Sequence, residues 1–219
     1  MFKHQHPYPP FIPENSAKLI VGTLPPPRFT TQKLKKGDVD FCYGSRDGQL
    51  WVILNRIFKL NLDFENTSKA VKQRKNFLIE HKIGICDMVD CAYREKVDAS
   101  DLGIQKARLR PMIEILEKNP SLNKLIFTGG RSKNGPEYFF RKHLKKFTAL
   151  KLKSVSETVP RQYCFTLNNR TIHTVSLTAP SGSANRAVGS MKAFKIEKEK
   201  NPNFTTLDFR VEQYEPFFR

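Results

Sequence analysis

Four short apolar runs recur along the chain, and each is cut off by residues through which a strand does not continue. Residues 17–22 run into Thr23-Leu24-Pro25-Pro26-Pro27, where three successive prolines forbid both helix and ladder continuation. Residues 83–87 end on the carboxylate of Asp87, and residues 124–128 run into Gly129-Gly130. Residues 171–177 run into Thr178-Ala179-Pro180-Ser181-Gly182-Ser183-Ala184-Asn185-Arg186. Helical segments lie between these runs. Positions 50, 53, 54, 57 and 58 are apolar, the spacing of one helix face, and Asp47 is placed to cap that helix. Residues 67–82, 109–118 and 136–147 read as further helices. This alternation predicts an α/β fold, with a central, mostly parallel four-stranded sheet in a three-layer α/β/α domain and right-handed crossovers. Ligands of such sheets bind beyond the carboxyl ends of the strands. The chain near 22–24, 86–88, 128–130 and 177–185 is therefore the expected site.

The intervening chain is less regular. Residues 1–17, rich in proline and aromatics, read as an extended arm lying on the domain. Residues 28–46 form a long basic connection. Residues 88–107, which carry Asp90, Arg94, Asp98 and Asp101, read as irregular. Residues 162–167 and 171–177 make a hairpin turned at Asn168-Asn169. A helix is expected from 186 to 200, and the tail at 201–219 holds an aromatic-rich helix from 207. At 219 residues, with no internal repeat or linker, one domain is expected, with a core large enough to stand alone.

Charge narrows the partners. Against 21 acidic residues stand 38 lysines and arginines, a formal net charge of +17. Such an excess favours a polyanion, nucleic acid above all. The basic stretches 69–75, 131–153 and 192–200 are each ordinary solvated surface taken singly; together they favour nucleic acid over a small neutral ligand. Cys42, Cys86, Cys91 and Cys164 form no Cys-x-x-Cys pair, and the histidines show no ligand spacing, so free thiols and no metal are expected. No apolar run approaches about 18 residues, the length of a membrane span. The first residues lack the apolar stretch of a secretory signal, and a cytoplasmic monomer is expected.

The loop at 178–186 admits two readings. Its glycine and serines can bring backbone N–H groups and hydroxyls to a phosphate beside a helix N-terminus. The same residues make an ordinary capped strand-to-helix turn. A nucleotide- or phosphoester-processing enzyme is disfavoured, because no Gly-x-x-x-x-Gly-Lys-(Ser/Thr) or Gly-x-Gly-x-x-Gly loop is present.

Four landmarks, in order, resemble the uracil-DNA glycosylase superfamily, its mismatch-specific and hypoxanthine-type branches most of all. Gly22-Thr23-Leu24-Pro25-Pro26 is similar to the Gly-x-(Asn or other)-Pro-Gly loop after the first strand. Tyr43 to Trp51 is similar to the aromatic stretch ending in Asn-x-Phe-Trp. Gly84 to Val89, followed by Arg94 and the acidic cluster at 98–101, is similar to Gly-Ile-x-x-Trp-Asp-Val. The loop from Pro180 is similar to Pro-Ser-x-Ser-Pro-Ala-Asn. The resemblance covers about residues 12–195.

The resemblance implies an enzyme that rotates a deaminated base, uracil or hypoxanthine, out of duplex or single-stranded DNA. It then hydrolyses the N-glycosidic bond without a cofactor, leaving an abasic site. Tyr43 would stack under the base, or else fill the core. Leu24 and Pro25 would line the sugar. Asp87 would read the base edge, or else cap a turn. Ser181, Gly182, Ser183, Asn185 and Arg186 would hold the phosphates and groove, with Val188 as a wedge. Many members carry the catalytic Asp or Asn where this chain has Leu24, so Asp47 and then Asp87 are nominated as catalysts. The alternative is a non-catalytic nucleic-acid-binding protein on the same fold.

Overall fold

The computed structural model describes residues 1–219. The elements follow in chain order. β1 (Phe2–Gln5), β2 (Lys18–Gly22), α1 (Pro27–Thr30), α2 (Leu50–Phe58) and α3 (Ser68–Glu80) come first. β3 (Ile83–Asp87), β4 (Val89–Arg94), β5 (Gln105–Leu109), α4 (Met112–Lys118), β6 (Lys124–Phe127) and α5 (Pro136–Leu144) form the middle. The last part holds β7 (Lys153–Ser156), β8 (Arg161–Leu167), β9 (Arg170–Ser176), α6 (Asn185–Gly189), α7 (Lys192–Lys200) and α8 (Thr206–Phe218). No helix is long and apolar enough to cross a membrane.

The main sheet has six strands in the order β3-β2-β6-β9-β8-β7. The four expected strands pair in parallel, β2 with β3 and β6, and β6 with β9. The expected four-stranded sheet is corrected to a mixed six-stranded one, because the hairpin zips onto it antiparallel and β7 adds to β8. Asn168 and Asn169, at φ 48° and 59°, supply the left-handed pair that a two-residue hairpin turn requires. β7, polar and mostly exposed, has none of the alternation that marks a half-buried strand.

A second correction concerns residues 88–107. They hold β4 and β5, which with β1 of the N-terminal arm form a three-stranded antiparallel sheet in the order β1-β4-β5. Register shifts between Val89, Cys91 and Tyr93 leave Cys91 and Ala92 both buried. Such a bulge erases the period-two pattern.

Alternate residues of the central strands feed two cores. Ile20, Ile85, Ile126 and Val175 pack with α2, α3 and α8 on one face. Leu19, Val21, Cys86, Leu125 and Phe127 pack with α4 and α5 on the other, joined by Val89 and Ala92 of the small sheet. β2 is flanked by β3 on one side and β6 on the other. The chain thus leaves β2 toward one edge and later returns on the opposite side. The crevice beyond the carboxyl ends of β2 and β6 is the switch point at which such sheets bind ligands.

Two helix expectations also change. The helix expected over 186–200 is two, α6 and α7, parted where Met191 is extended at ψ 134°. Gly189 sits at the break, where helix propensity is low. Asp47 does not cap α2. The flanking residue is Gln49, with no side-chain cap, and Asp47 pairs with Arg28 instead.

The small sheet is secured by a buried pair. Arg94, fully buried, donates through Nε to Nδ1 of the equally buried His4 at 2.7 Å. A ring nitrogen that accepts must be unprotonated. Burial, helped by the Arg94 charge, lowers the His4 pKa from 6.5 to about 4. The folded value lies below the unfolded one, so this contribution to stability is complete above about 6.5 and is lost as pH falls toward about 4. Thermal unfolding is expected to move to lower temperature between those values. His4→Gln, which keeps an acceptor for Arg94 but does not titrate, should show a shallower decline; an unchanged slope would remove His4 as the cause.

Candidate functional site

The connection from residue 28 to 46 is folded around one fully buried carboxylate. Asp38 accepts from Arg28 Nε at 2.7 Å and Nη2 at 2.8 Å, and from the N–H groups of Lys35 and Arg46, each at 2.8 Å. Burial works against its charge, but these donors outweigh it and hold the carboxyl below its ordinary range. Downstream, Trp51 Nε1 donates to the Cys42 carbonyl at 2.9 Å. Gly44 is packed so closely that a Cβ would lie 1.8 Å from the Val39 carbonyl oxygen. The resulting turn places Tyr43 at φ 56°. Its phenol reaches the end of β6, where it lies 2.8 Å from Thr128 Oγ1. Burial and the nearby Asp87 charge push the phenol far up, so it acts as a neutral hydroxyl.

Gly22 ends β2 in register with Asp87. A Cβ on Gly22 would meet the Tyr43 phenol oxygen at 2.1 Å and Asp87 Oδ1 at 2.2 Å. The absent side chain is the space into which both groups project. His6, from the N-terminal arm, fixes the carboxylate. Its Nδ1 accepts the Tyr8 N–H at 3.0 Å, so Nε2 carries the proton and donates to Asp87 Oδ2 at 2.7 Å. Asp87 is thus held as a hydrogen-bond acceptor by a buried histidine and is not the turn cap of the simpler reading. Cys42 and Cys86 stand close by, but burial raises both thiols, which leaves them poor nucleophiles.

The loop after β9 is fastened from the C-terminal helix. Fully buried Arg210 donates to the carbonyls of Ala179 at 2.9 Å and Ser181 at 3.1 Å, and to Asn185 Oδ1 at 2.8 Å. Gln213 accepts from the Thr178 N–H at 2.8 Å, and Tyr214 donates to the Thr178 carbonyl at 2.7 Å. The Gln49 N–H donates to the Pro180 carbonyl at 2.7 Å, and Gly48 bridges to Ser181. The second and fourth landmarks therefore touch.

The structure thus gathers Tyr43 and Asp87 beside the Thr23-Leu24-Pro25 turn, with the 178–185 loop joined to the Tyr43 loop. Leu24 is half-buried and packs on the core, and Pro25 is buried. Gly182, Ser183 and Arg186 are exposed, and Ser181 Oγ lies 2.9 Å from Ser183 Oγ. Asn185 faces inward to Arg210, and Val188 is fully buried, so neither side chain is presented to a groove. Asp47 stands apart, its side chain 67% exposed and 3.0 Å from Arg28.

Three neighbours of these residues are not singled out individually by the sequence. His6 sits in a proline-rich arm that carries no local signal. Arg210 lies in a helix whose interior face was not resolved by pattern. Asp101 was visible as part of an acidic cluster. Its carboxylate accepts from Thr23 Oγ1 at 3.2 Å, and its carbonyl accepts from Asn134 Nδ2 at 2.9 Å. Burial pushes the Asp101 carboxyl up to about 6 against the pull of Thr23 and Arg94, and the Asp87 charge adds to the rise.

No family model matches the chain, and no curated protein matches it in sequence. In three dimensions it is similar to the solution NMR structure of a "putative Uracil DNA glycosylase" from Methanosarcina acetivorans. The two share 18% identity over 96% of this chain and 99% of that one, with a TM-score of 0.54. The likeness establishes a shared fold.

Two variants probe how this cluster is built. Gly22→Ala is expected to displace Tyr43 or Asp87 and to cost about 1–3 kcal/mol, the usual penalty of overpacking; an unchanged unfolding midpoint would show that these side chains yield freely. Arg210→Met leaves several buried acceptors without donors. A loss of roughly 3 kcal/mol is expected, with faster amide exchange at residues 178–185 than in the strands.

Proposed function

We propose that the protein is a DNA glycosylase that takes a deaminated base out of the helix and hydrolyses its N-glycosidic bond. The observation that carries the reading is the meeting of Tyr43, Asp87 and the Thr23-Leu24-Pro25 turn at the switch point of the sheet. The fold shared with a protein described as a "putative Uracil DNA glycosylase" supports it. So does the exposure of Lys33, Lys35, Lys36, Arg131, Lys133 and Arg186 on the strand-end loops, a distribution suited to a phosphate backbone.

In this reading the extruded base stacks on Tyr43, and Asp87 Oδ1, the oxygen that His6 leaves open, is turned to the sugar. The Leu24-Pro25 backbone borders the sugar. Backbone N–H groups of Gly182 and Ser183, which make no backbone hydrogen bond, and the hydroxyls of Ser181 and Ser183 take the flanking phosphates, with Arg186 beside them. Asn185 acts through Arg210 by holding the loop. As the C1′–N bond lengthens, positive charge builds on the sugar. A carboxylate in a pocket shielded from water stabilises that charge while water attacks the opposite face. Of the two nominated carboxylates, Asp87 lies beside Tyr43 at the strand ends, and this reading gives it that role. Asp47 stands on the rim and fixes Arg28.

A strand-nicking assay tests the reading. Duplex and single-stranded oligonucleotides carrying uracil or hypoxanthine are treated with protein and then alkali. Nicking is expected in the wild type and is expected to fall by about a hundredfold or more in Asp87→Asn. Asp47→Ala should change it by only a few-fold, as expected of an exposed pair. Salt-sensitive binding with no nicking at any base would favour instead a binder without chemistry, the reading that Leu24 in the first loop supports.

A further inference from the structure

We propose that the groove between α3 and the N-terminal arm is a second nucleic-acid subsite, which takes an unpaired nucleotide from the strand whose base is extruded. The inference rests on the DNA reading above and gives it a strand preference. The groove has a volume of about 600 Å³, within the roughly 300–1,000 Å³ of clefts that hold small organic ligands. One wall is a stripe of α3 made by Ser68, Val71, Lys72, Lys75 and Ile79, the spacing of a single helix face. The other wall is Phe11 of the arm and Asp40 of the Tyr43 loop.

The groove opens at the edge that holds Tyr43 and Asp87. α3 ends at Glu80 and β3 begins at Ile83, and the two pack together on one face of the sheet. α3 therefore runs back along β3, and its first turn lies at the carboxyl ends of the strands. Phe11 bridges to Ile85 on β3, so from that edge the groove descends the outer side of the sheet. The Tyr43 loop is flanked on both sides: Gly48 meets Ser181, and Asp40 lines the groove. A strand held at the Ser181 loop and passing Tyr43 is thus led on to α3. A duplex, stiff over about 150 base pairs, does not turn down this flank, whereas a single strand does.

The lining matches the two ends of a nucleotide. Lys75 Nζ is held 5.6 Å over the Phe11 ring and 5.8 Å over the Phe41 ring, where cation–π attraction fixes it. Lys69 pairs with Asp63 at 2.8 Å, but Lys72 and Lys75 have no acidic partner. The N–H groups of Ser68 and Lys69 make no backbone hydrogen bond, as the first turn of a helix requires. Two free ammonium groups beside these donors suit a phosphate. Phe11, Val71 and the 55% exposed Ile79 give a base an apolar bed. Asn66 and Asn76 stand exposed at its rim. Asp40 receives the Tyr8 phenol on Oδ1 at 2.6 Å, which leaves Oδ2 to accept an N–H from the base edge. An acidic peptide would satisfy the lysines but would be repelled by Asp40, so the wall of cations facing an acceptor favours a nucleotide.

The test is binding of a fluorescent single-stranded oligonucleotide, and of a blunt duplex of the same length, over a series of salt concentrations. The full chain is compared with the double variant Lys72→Gln/Lys75→Gln. A control of equal charge, Lys142→Gln/Lys145→Gln, alters exposed lysines at the far end of α5. The groove variant is expected to bind the single strand about tenfold more weakly and to flatten its salt slope by roughly 1.4, the loss of two phosphate contacts. Its binding of the duplex, and the control's binding of both, should stay within about twofold. Equal losses in variant and control, or equal losses for single strand and duplex, overturn the inference and leave the glycosylase reading standing. No binding of either oligonucleotide by wild type sinks the DNA reading and this inference with it. Amide NMR of the wild type gives a check that needs no variant. The single strand should shift Ser68, Val71, Lys75 and Asn76; no shift there, or the same shifts at the same concentration of a short polyglutamate peptide, would overturn the assignment.

Discussion

At the end of β2 the chain gives up a side chain, and the phenol of Tyr43 and the carboxylate of Asp87 occupy the space it would have filled. The rest of the site is built to bring those two groups there. Tyr43 comes from a left-handed turn inside a loop knotted around Asp38. Asp87 is the last residue of the edge parallel strand and is aimed by a histidine from the N-terminal arm. Thr128, at the end of the neighbouring strand, receives the phenol. The parallel register of β2, β3 and β6 brings these ends level, so the geometry of the sheet sets where these side chains meet.

Loops of irregular backbone leave many carbonyls without a ladder to pair with. In this protein the fully buried guanidiniums of Arg74, Arg94 and Arg210 serve them. Arg74 binds the carbonyls of Asp63 and Ala70, Arg94 binds that of Ser100, and Arg210 binds those of Ala179, Ser181 and Thr206. Burial lowers the pKa of all three, that of Arg74 to about 10, yet each stays charged at neutral pH. A planar fork with five donors can join carbonyls on separate segments. Part of the positive excess of this chain is therefore internal scaffolding, and only the remainder is surface charge.

The parallel core was legible because its strands are short, apolar and abruptly terminated, and β2, β3, β6 and β9 fall where those runs lie. The Asn168-Asn169 turn and the C-terminal helix were legible for similarly local reasons. Where the structure departs from the pattern, the cause is a partner distant in sequence. β4 hides behind a bulge that only its pairing with β5 explains. Asp47 looks like a helix cap until Arg28 claims it. Asn185 looks like a groove contact until Arg210 turns it inward. Asp87 was readable as a site candidate from its place at a strand end, and Tyr43 only through the resemblance. His6 was not, since nothing near it in the chain announces a carboxylate 81 positions away.

The clasp of Arg210 on the Ser181 loop, set beside that of His6 on Asp87, has a temporal meaning. One clasp comes from the first strand's neighbourhood and the other from the final helix. A chain emerging from the ribosome can form β2, β3 and β6 and bury most of both cores before α8 has been made, since domains fold as their segments appear. Through that interval the loop after β9 is held only by its backbone contacts with Gly48 and Gln49, without Arg210, Gln213 and Tyr214 of the final helix. The molecule thus acquires a settled core before this loop takes its final shape.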